Sequence, residues 1–388
     1  MNTDMTPLEI LEKLVAFPTF SQDSNLELVD FVETYLRACG AEPGQMLSDC
    51  GQKAAVFTSV GPDAAGGVVL SGHSDVVPVT GQSWDSDPLV VTRRGDRLYG
   101  RGTCDMKGFD ALALWAIGQA CKRGLKRPLQ LALSFDEEIG CEGAPPLISA
   151  MQEAGLPKAQ TVIVGEPSMM QVITGHKGGF GYKVHMRGFE VHSSLLNTGV
   201  NAIMYGAKLI DWANEMNAQN EAAVPGPLAA DFVPPFTTLH IGMIEGGTAH
   251  NITAADCHFC FDFRIVPGEQ ASVWAARFEA ERARIEAQMQ AVQPSSKITA
   301  TPFFNVPALT SEEDGAAQAL AQRLTGANRT EVVSYGTEAG HFQNAGYSVV
   351  VCGPGNIAQA HQPNEFISVA QFEQGHRFMN NLLDWLET

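Results

Sequence analysis

The sequence predicts an α/β protein with a mostly parallel central sheet, helices on both faces of that sheet, and an inserted, smaller α+β domain. Three observations predict it. Short apolar runs typical of buried strands alternate with helical stretches along the first part of the chain. A glycine-rich break at Gly175–Gly181 is followed by an alternating pattern, which is typical of an antiparallel strand with one wet face. After this different segment the α/β pattern returns.

Two helices are predicted near the N-terminal end. Thr6-Pro-Leu-Glu9 combines a capping box with proline in the first helical turn, so a helix should begin there. Ser24-Asn-Leu-Glu27 repeats the capping box, and its helix should run to Cys39, where Gly40 ends it. Ala54–Val60 is then expected to form a short buried strand.

Polar side chains directly follow the next predicted strands. The strands are Val68–Leu70, Leu129–Phe135 and Thr161–Val164, and the polar residues that follow them are His73, Glu137, Glu138 and Glu166. A helix is expected over Lys107–Cys121, and the loop before it carries Asp105. Ligands of such sheets bind beyond the carboxyl ends of the strands. We therefore expect these polar side chains to share one edge of the sheet.

The segment of roughly 176–296 is predicted to be the inserted domain. Its expected elements are a strand with Phe180, Tyr182, Val184 and Met186, a helix over Asn201–Met216, strands Thr237–Ile244 and Cys257–Val266, a helix over Gln270–Gln290, and a last strand at Lys297–Thr301. The order β-α-β-β-α-β is that of the ferredoxin-like split unit. Asn217–Pro235 is expected to be a long loop. The main domain then comprises 1–175 and 297–388, with a helix near 312–324, a strand at 347–352 and a closing helix from Val369.

Composition excludes several classes of partner. The chain has 388 residues and a formal net charge of −18, which argues against nucleic acid and anionic membrane as partners because both need a basic face. No signal peptide or membrane-spanning run is visible. The eight cysteines follow no small-scaffold pattern, so free thiols and a cytoplasmic location are expected. Cys257 and Cys260 lie in an alternating strand without a second pair, which disfavours a structural zinc site.

Five side chains that can bind metals fall at strand ends or tight loops of the predicted sheet. They are His73, Asp105, Glu138, Glu166 and His361. Singly, each has an ordinary structural explanation: Asp105 as a helix cap, His73 as a core histidine, the glutamates and His361 as cap or turn residues. Together they favour a metal site, because converging carboxylates repel one another and divalent cations remove that cost. Mixed histidine and carboxylate ligands suit zinc, with cobalt or manganese as substitutes.

Asp105 and two further carboxylates have more specific candidate roles. Asp105 stands alone on its loop, so its two oxygens are free to bridge two metals. Glu137 lies next to the candidate ligand Glu138 and is available for acid–base chemistry. Asp75, two residues after His73, is expected to hold the other nitrogen of that imidazole.

The chain resembles the M20 metallopeptidase/deacylase family. Four segments are similar to its metal motifs: Ser71–Pro78, Gly100–Gly108, Ser134–Gly140 and Gly165–Pro167. Further segments resemble the branch of the family that hydrolyses N2-acetyl-L-ornithine in arginine biosynthesis: Gly175–Gly179, Val191–Ser194, Phe261–Arg264, Tyr335–Ala339 and Ala358–Pro363. The similarity spans essentially the whole chain, in order. It implies a catalytic domain of the metal-dependent exopeptidase type and a lid domain that forms a homodimer.

The resemblance also implies roles for individual residues. His73, Asp105 and Glu166 would hold one metal ion, and Asp105, Glu138 and His361 the other. Glu137 would be the general base and Asp75 the partner of His73. His192, acting on the neighbouring subunit, would stabilise the oxyanion, Asn251 would reach toward the substrate, and Arg264 would bind a substrate carboxylate. The family also has a cis peptide after the bridging aspartate, which here is Asp105–Met106.

The implied reaction is hydrolysis of the amide of an N-acetyl amino acid by water activated between two metal ions. Lys177 is a second cation that could bind the substrate carboxylate, and Glu338 is expected to meet a cationic distal group such as that of acetylornithine. Lys177 and Arg264 could equally be solvated lid residues. Another deacylase, dipeptidase or carboxypeptidase of the same scaffold is the main alternative. A metal-free binding or regulatory relative is disfavoured because all five ligands are present.

Overall fold

The computed structural model describes residues 2–388, which form two compact units. Unit 1 comprises the described chain up to Gly175, Ser311–Val332 and Thr337–Thr388, and unit 2 comprises His176–Thr310 and Val333–Gly336. Met1, which the predicted main domain includes, lies outside the described residues.

Helices and strands alternate on both sides of the inserted segment. Before it lie α1 (Pro7–Val15), α2 (Leu26–Cys39), β1 (Gly44–Leu47), β2 (Ala54–Val60), β3 (Val68–His73), β4 (Thr92–Arg94), β5 (Arg97–Tyr99), α3 (Lys107–Ala120), β6 (Leu129–Ser134), α4 (Ala144–Glu153), β7 (Thr161–Pro167) and β8 (Ile173–His176). Within it lie β9 (Gly178–Arg187), α5 (Ala202–Ala222), β10 (Thr238–Gly246), β11 (Asp256–Ile265), α6 (Ala271–Val292) and β12 (Lys297–Val306). After it lie α7 (Ala316–Thr325), β13 (Glu331–Val333), α8 (Ala339–Asn344), β14 (Ser348–Gly353), β15 (Phe366–Ser368) and α9 (Val369–Leu386).

An eight-stranded sheet forms the centre of unit 1, in the order β1-β2-β6-β3-β7-β14-β8-β13. The four central strands β6, β3, β7 and β14 are parallel, whereas β1, β2 and β8 add antiparallel pairs at the flanks. The central strands are nearly continuous apolar runs that are buried on both faces, as expected for a parallel sheet covered by helices. The predicted α/β class is confirmed.

The helix α3 lies within the core of unit 1. Almost every one of its residues is buried: most are apolar or small, and the charged Lys107 and Asp110 are buried with them. It packs near the strand β7, where Gly165 has no room for a side chain: a Cβ atom there would lie 2.0 Å from the Phe109 ring. This contact fixes the backbone immediately before Glu166.

Unit 2 contains a four-stranded antiparallel sheet in the order β10-β11-β9-β12. With α5 and α6 it gives the predicted β-α-β-β-α-β order, and the strand order is that of the ferredoxin-like unit. One face of this sheet carries the core of the unit, where Phe261, Phe263 and Phe278 pack together. The other face carries polar side chains, as the alternation predicts.

Several boundaries differ from those predicted. Asn25, not Ser24, precedes α2 as its N-cap, and the capping box expected at Ser24 is absent because the Ser24 hydroxyl accepts from Leu26 N at 3.3 Å. The helix α5 continues to Ala222, six residues into the predicted loop. The inserted unit ends near Thr310 instead of 296, because β12 pairs with β9 along its length and so belongs to unit 2.

Within residues 2–388, none of the helices combines the length and the apolar character needed to cross a membrane. All eight cysteines are free thiols. Cys257 and Cys260 both lie on β11. Because they are three positions apart and successive side chains of a strand alternate, they point to opposite faces of the sheet.

Candidate metal centre

The candidate ligands of unit 1 gather at the carboxyl ends of its four central strands. His73 is the last residue of β3, Glu166 lies near the end of β7, and Glu138 follows β6. His361 lies in the loop after β14, in the left-handed backbone region at φ 63°. Asp105 comes from the loop before α3, and the peptide bond to Met106 is cis, as the resemblance implies.

Asp105 lies between the two histidines. Its Oδ1 is 3.2 Å from His73 Nε2, and its Oδ2 is 3.3 Å from His361 Nε2. Each histidine also faces one glutamate: His73 Nε2 is 3.5 Å from Glu166 Oε1, and His361 Nε2 is 2.9 Å from Glu138 Oε2. The five side chains therefore form two groups of three that share Asp105.

Glu137 borders the same cluster. Its Oε2 is 3.8 Å from His73 Nε2, and its Oε1 accepts a hydrogen bond from Cys141 Sγ at 3.2 Å. Ligand atoms of His73, Glu137 and Glu166 lie within 4.8 Å of one another, as do those of His73, Asp105 and Glu138. Glu137 is thus a carboxylate beside His73 and Glu166, at the edge of the first group.

Asp75 positions this site in a way the sequence did not predict. The Nδ1 atom of His73 faces the backbone carbonyl of Asp75 at 2.9 Å, whereas its carboxylate is farther away, at 3.6 Å. The carboxylate instead accepts from the backbone N–H groups of Glu137 and Glu138 and from the Ser21 hydroxyl. One residue therefore orients the imidazole with its backbone and the Glu137–Glu138 turn with its side chain.

Crowding of charged groups shifts the pKa values of the side chains in this cluster. Burial, and then the charge of Asp105, raises the pKa of Glu166 to about 8 and that of Glu138 to about 7. Burial, and then the charge of Glu166, raises the pKa of Glu137 well above its ordinary value. Hydrogen bonds that His361 donates to Asp105 and Glu138 raise the pKa of His361 to about 10. These carboxylates are crowded, and added positive charge would relieve their repulsion.

The donor set fits divalent metal ions. Two imidazoles and three carboxylates converge from different loops, and nitrogen and carboxylate oxygen are ligands that zinc accepts. Among residues 2–388, Glu166 Oε1 is a buried oxygen without a hydrogen-bond partner. A buried acceptor without a partner costs folding free energy, and a bound cation would remove that cost.

A buried ion pair between Arg101 and Glu365 supports the Asp105 loop. Both side chains are 1% exposed, and Arg101 Nη1 is 2.7 Å from Glu365 Oε2. The other oxygen of Glu365 accepts from the backbone N–H groups of Cys104 and Asp105 at 2.9 and 3.1 Å. This carboxylate therefore fixes the backbone that presents Asp105.

The same ion pair is connected to the loop of His361. Arg101 Nη2 donates to Gln82 Oε1 at 2.6 Å, and Gln82 Nε2 donates to the backbone carbonyl of His361 at 2.8 Å. Sequence reasoning missed Arg101 and Glu365 because they are 264 positions apart. The available signal was an arginine between two glycines.

Glu338 is placed differently from its predicted role. It is 1% exposed, and its two oxygens accept hydrogen bonds from the hydroxyls of Ser71 on β3 and Ser134 on β6. The expectation that Glu338 meets a cationic substrate group is therefore corrected: its carboxylate is enclosed, and it joins two strands of the sheet that end at the candidate ligands.

His192 and Asn251 lie together in unit 2. His192 is bridged to Ile252, and Asn251 O accepts from Ser193 N at 2.9 Å. His192 is exposed, and its Nδ1 accepts from Ser194 N at 3.3 Å. Because a backbone N–H can only donate, Nδ1 carries no proton and the exposed Nε2 is left as the donor.

Lys177 and Arg264 lie at the other end of the unit 2 sheet, where Arg264 is opposite Gly179. The Arg264 side chain is 43% exposed and contacts Asp262 at 3.1 Å. Lys177 is buried, and its Nζ donates to the Phe236 carbonyl at 2.9 Å. Burial lowers the pKa of Lys177 to about 8. Of the two predicted cations, only Arg264 presents an exposed charged group.

Replacing Arg101 by methionine should strongly destabilise unit 1. It would leave Glu365 buried without its charge partner, and breaking a buried pair in this way costs about 3–5 kcal/mol. Urea unfolding of the purified chain measures the change in the free energy of unfolding. The matched control is Arg123→Met, which removes the more exposed pair with Asp384 and should cost below about 1 kcal/mol. Equal losses in the two variants would contradict the role given to Arg101.

Comparison with known proteins identifies the family. The profile of peptidase family M20/M25/M40 matches residues 69–385. An acetylornithine deacetylase from Myxococcus xanthus is 34% identical over 371 residues, which is 92% of each chain. The structure of an M20 family metallo-carboxypeptidase from Sulfolobus solfataricus superposes with a TM-score of 0.79 at 18% identity, over 99% of each chain.

A further structure, that of a dinuclear metal-binding M20 peptidase from Bacillus subtilis, gives a TM-score of 0.65 at 15% identity, over 98% of each chain. At these identities the solved structures establish the fold alone, and the sequence matches carry the assignment. The chain belongs to peptidase family M20/M25/M40, a family of metallohydrolases.

Proposed function

We propose that this chain is a cytoplasmic, metal-dependent deacetylase that hydrolyses N2-acetyl-L-ornithine to L-ornithine and acetate, as in arginine biosynthesis. The observation that carries the proposal is the position of Asp105, whose two oxygens face two different histidine–glutamate pairs. The choice of substrate is supported by relatives named acetylornithine deacetylase at 30–34% identity over most of their length.

The proposed ligand sets follow the two groups of side chains. His73, Asp105 and Glu166 would hold one divalent ion, and Asp105, Glu138 and His361 the other, with zinc as the expected metal and cobalt as a substitute. Bound ions of this kind supply Lewis acidity, which lowers the pKa of water and polarises an amide carbonyl. Asp75 would keep His73 and the Glu137–Glu138 turn in position through the contacts described above.

Glu137 is proposed as the general base and acid. It is the carboxylate of the cluster that belongs to neither ligand group, and its Oε2 lies 3.8 Å from His73 Nε2. In this role it takes a proton from the attacking water and delivers it to the departing amine. A buried carboxylate with a raised pKa is suited to hold that proton between the two steps. The products are acetate and the free amino acid.

Residues of unit 2 would complete the site. His192 Nε2 is proposed to donate to the developing oxyanion, and Asn251, which lies beside it, to contact the substrate. Arg264 is proposed to bind the substrate α-carboxylate, because its guanidinium is exposed. Lys177 and Glu338 are not part of this proposed set, since both are enclosed by protein.

The proposed site requires two copies of the chain. His192 follows one end of β9, and Arg264 is opposite Gly179 near the other end, so most of the length of the strand, about 26 Å, separates them. The backbone of an N-acetyl amino acid is as long as about two residues, roughly 7 Å. The two side chains of one unit 2 therefore cannot contact one substrate molecule, which supports delivery of His192 to the site of a second copy.

The surface of unit 2 supports the same homodimer. The strand β10 is at the end of its sheet, and among the described residues it pairs with β11 alone. It exposes Met243 and Ile244, and α5 exposes Met204. An open edge strand with apolar side chains is a surface that native proteins cover, here by the proposed second copy.

Acetate release from N2-acetyl-L-ornithine tests the proposed function. We expect hydrolysis with added Zn²⁺ or Co²⁺, and a decrease of about 10²–10⁴-fold in the Glu137→Gln variant, because a general base contributes roughly that factor. The variant should retain its metal content. A panel of other N-acetyl amino acids and dipeptides distinguishes related deacylases and dipeptidases. If no N-acyl amino acid is hydrolysed in the presence of metal, the proposal is wrong.

Metal counts per chain test the proposed ligand sets. Asp105→Ala should lose both ions together, since it removes a ligand from each, whereas Glu166→Ala and His361→Ala should each weaken mainly one. The control is Glu142→Ala, which removes an exposed carboxylate from the loop that carries Glu138 and should change nothing. Equal counts for Asp105→Ala and Glu166→Ala would argue against a bridging Asp105.

Mixed dimers test the exchange of His192. Glu137→Gln and His192→Ala should each be inactive alone, but a dimer with one chain of each kind contains one intact site and should regain activity. Co-expression with two different tags isolates such dimers. The control pairs Glu137→Gln with a chain that carries both substitutions and leaves no intact site. Isolated mixed dimers without recovered activity would show that His192 acts within its own chain.

A further inference from the structure

A second group of potential metal ligands lies in unit 2, and the proposed function does not use it. His185 on β9 is directly opposite His258 on β11. Their rings are stacked, with centroids 4.1 Å apart and an angle of 13° between the planes. Asp256, two residues before His258, has its Oδ1 2.8 Å from His185 Nε2. These three side chains form what we call the lid cluster.

The lid cluster lies on the polar face of the sheet. The residues that alternate with it on the same two strands, Val184, Met186, Cys257 and Phe259, are buried in the core of unit 2. Because successive side chains of a strand point to opposite faces, the lid cluster points away from that core. Glu245 on β10 is opposite His258 and adds a carboxylate to the same face.

Modest side-chain movements would bring the three ligand atoms to one metal ion. One ligand atom from each of His185, Asp256 and His258 lies within 4.8 Å of the others. Tetrahedral zinc with nitrogen and oxygen ligands at roughly 2.0–2.2 Å needs ligand atoms about 3.3 Å apart. The side chains of His185 and Asp256 are 37% and 40% exposed, so they have the freedom to close by up to about 1.5 Å and to turn the two rings out of their stack.

Arg187 contacts Asp256 and favours its ionised form. Its Nη1 lies 3.0 and 3.3 Å from the two oxygens of Asp256, which favours the ionised carboxylate that a metal needs. His185 Nε2 and Asp256 Oδ1 already share one proton in a hydrogen bond. A divalent ion would replace that proton, with His258 as third ligand and water or Glu245 in the remaining position.

We propose that His185, Asp256 and His258 bind one first-row divalent transition-metal ion, such as Zn²⁺, at a site that shares no residue with the centre in unit 1. The ion would join β9 to β11 across the polar face of the sheet. This inference does not rest on the proposed enzymatic function, because it depends only on side chains of unit 2.

Metal counts on the intact, untagged chain test the proposal. After equilibrium dialysis against Zn²⁺, the wild-type chain should hold one equivalent more than His258→Asn or His185→Asn. Asp105→Ala should retain this equivalent, so loss of the unit 1 ions and loss of the lid ion are distinguishable. Zn²⁺ should also raise the Tm of unfolding more for wild type than for His258→Asn.

The matched control is His240→Asn. His240 is exposed on β10 opposite Asp262, so it offers a histidine and an acid on the same sheet without a second histidine. It should keep the full count. Identical zinc counts for wild type, His185→Asn and His258→Asn would overturn the proposal, as would an equal loss in His240→Asn. If either histidine variant folds poorly, the zinc count of Asp256→Asn tests the same site, and it should also be one equivalent lower.

Discussion

Repulsion among buried carboxylates is the constraint on which the candidate metal centre depends. The turn after β6, the end of β7 and the loop before α3 bring Asp105, Glu137, Glu138 and Glu166 to one place, where burial and mutual charge raise the pKa of the glutamates. Such an arrangement is unfavourable unless positive charge is added. His73 and His361 supply part of it, and both oxygens of Asp105 are divided between them. Divalent cations would supply the positive charge that the two histidines do not.

The protein holds this costly cluster with groups that are not themselves candidate ligands. Glu365 accepts hydrogen bonds from the backbone N–H groups of Cys104 and Asp105, and Arg101 neutralises its charge. Asp75 does the same for the turn that carries Glu137 and Glu138. Below the site, Glu338 connects the hydroxyls of β3 and β6. The Asp105 loop and the Glu137–Glu138 turn are therefore each fixed by a buried carboxylate that accepts from backbone donors, which leaves the candidate ligands free to face one another.

Unit 2 divides its polar groups between the two ends and the polar face of one sheet. His192 and Asn251 lie beyond one end, Arg264 at the other, and the lid cluster lies on the face near β11's beginning. The length of β9 separates the ends by more than a small substrate can span. This separation supports the homodimer proposed above, since one sheet does not present both of its ends to one small substrate molecule.

The sequence by itself determined the α/β class, the β-α-β-β-α-β order of the insertion and the five candidate ligands. It could do so because strand ends, turns and metal-binding side chains are local features. It did not determine where the insertion ends, because β12 belongs to unit 2 through pairing with β9, a contact between distant residues. For the same reason it missed Arg101 and Glu365 and placed Glu338 among substrate-binding residues. Burial and long-range partners decide what a charged side chain does, and only the tertiary structure supplies them.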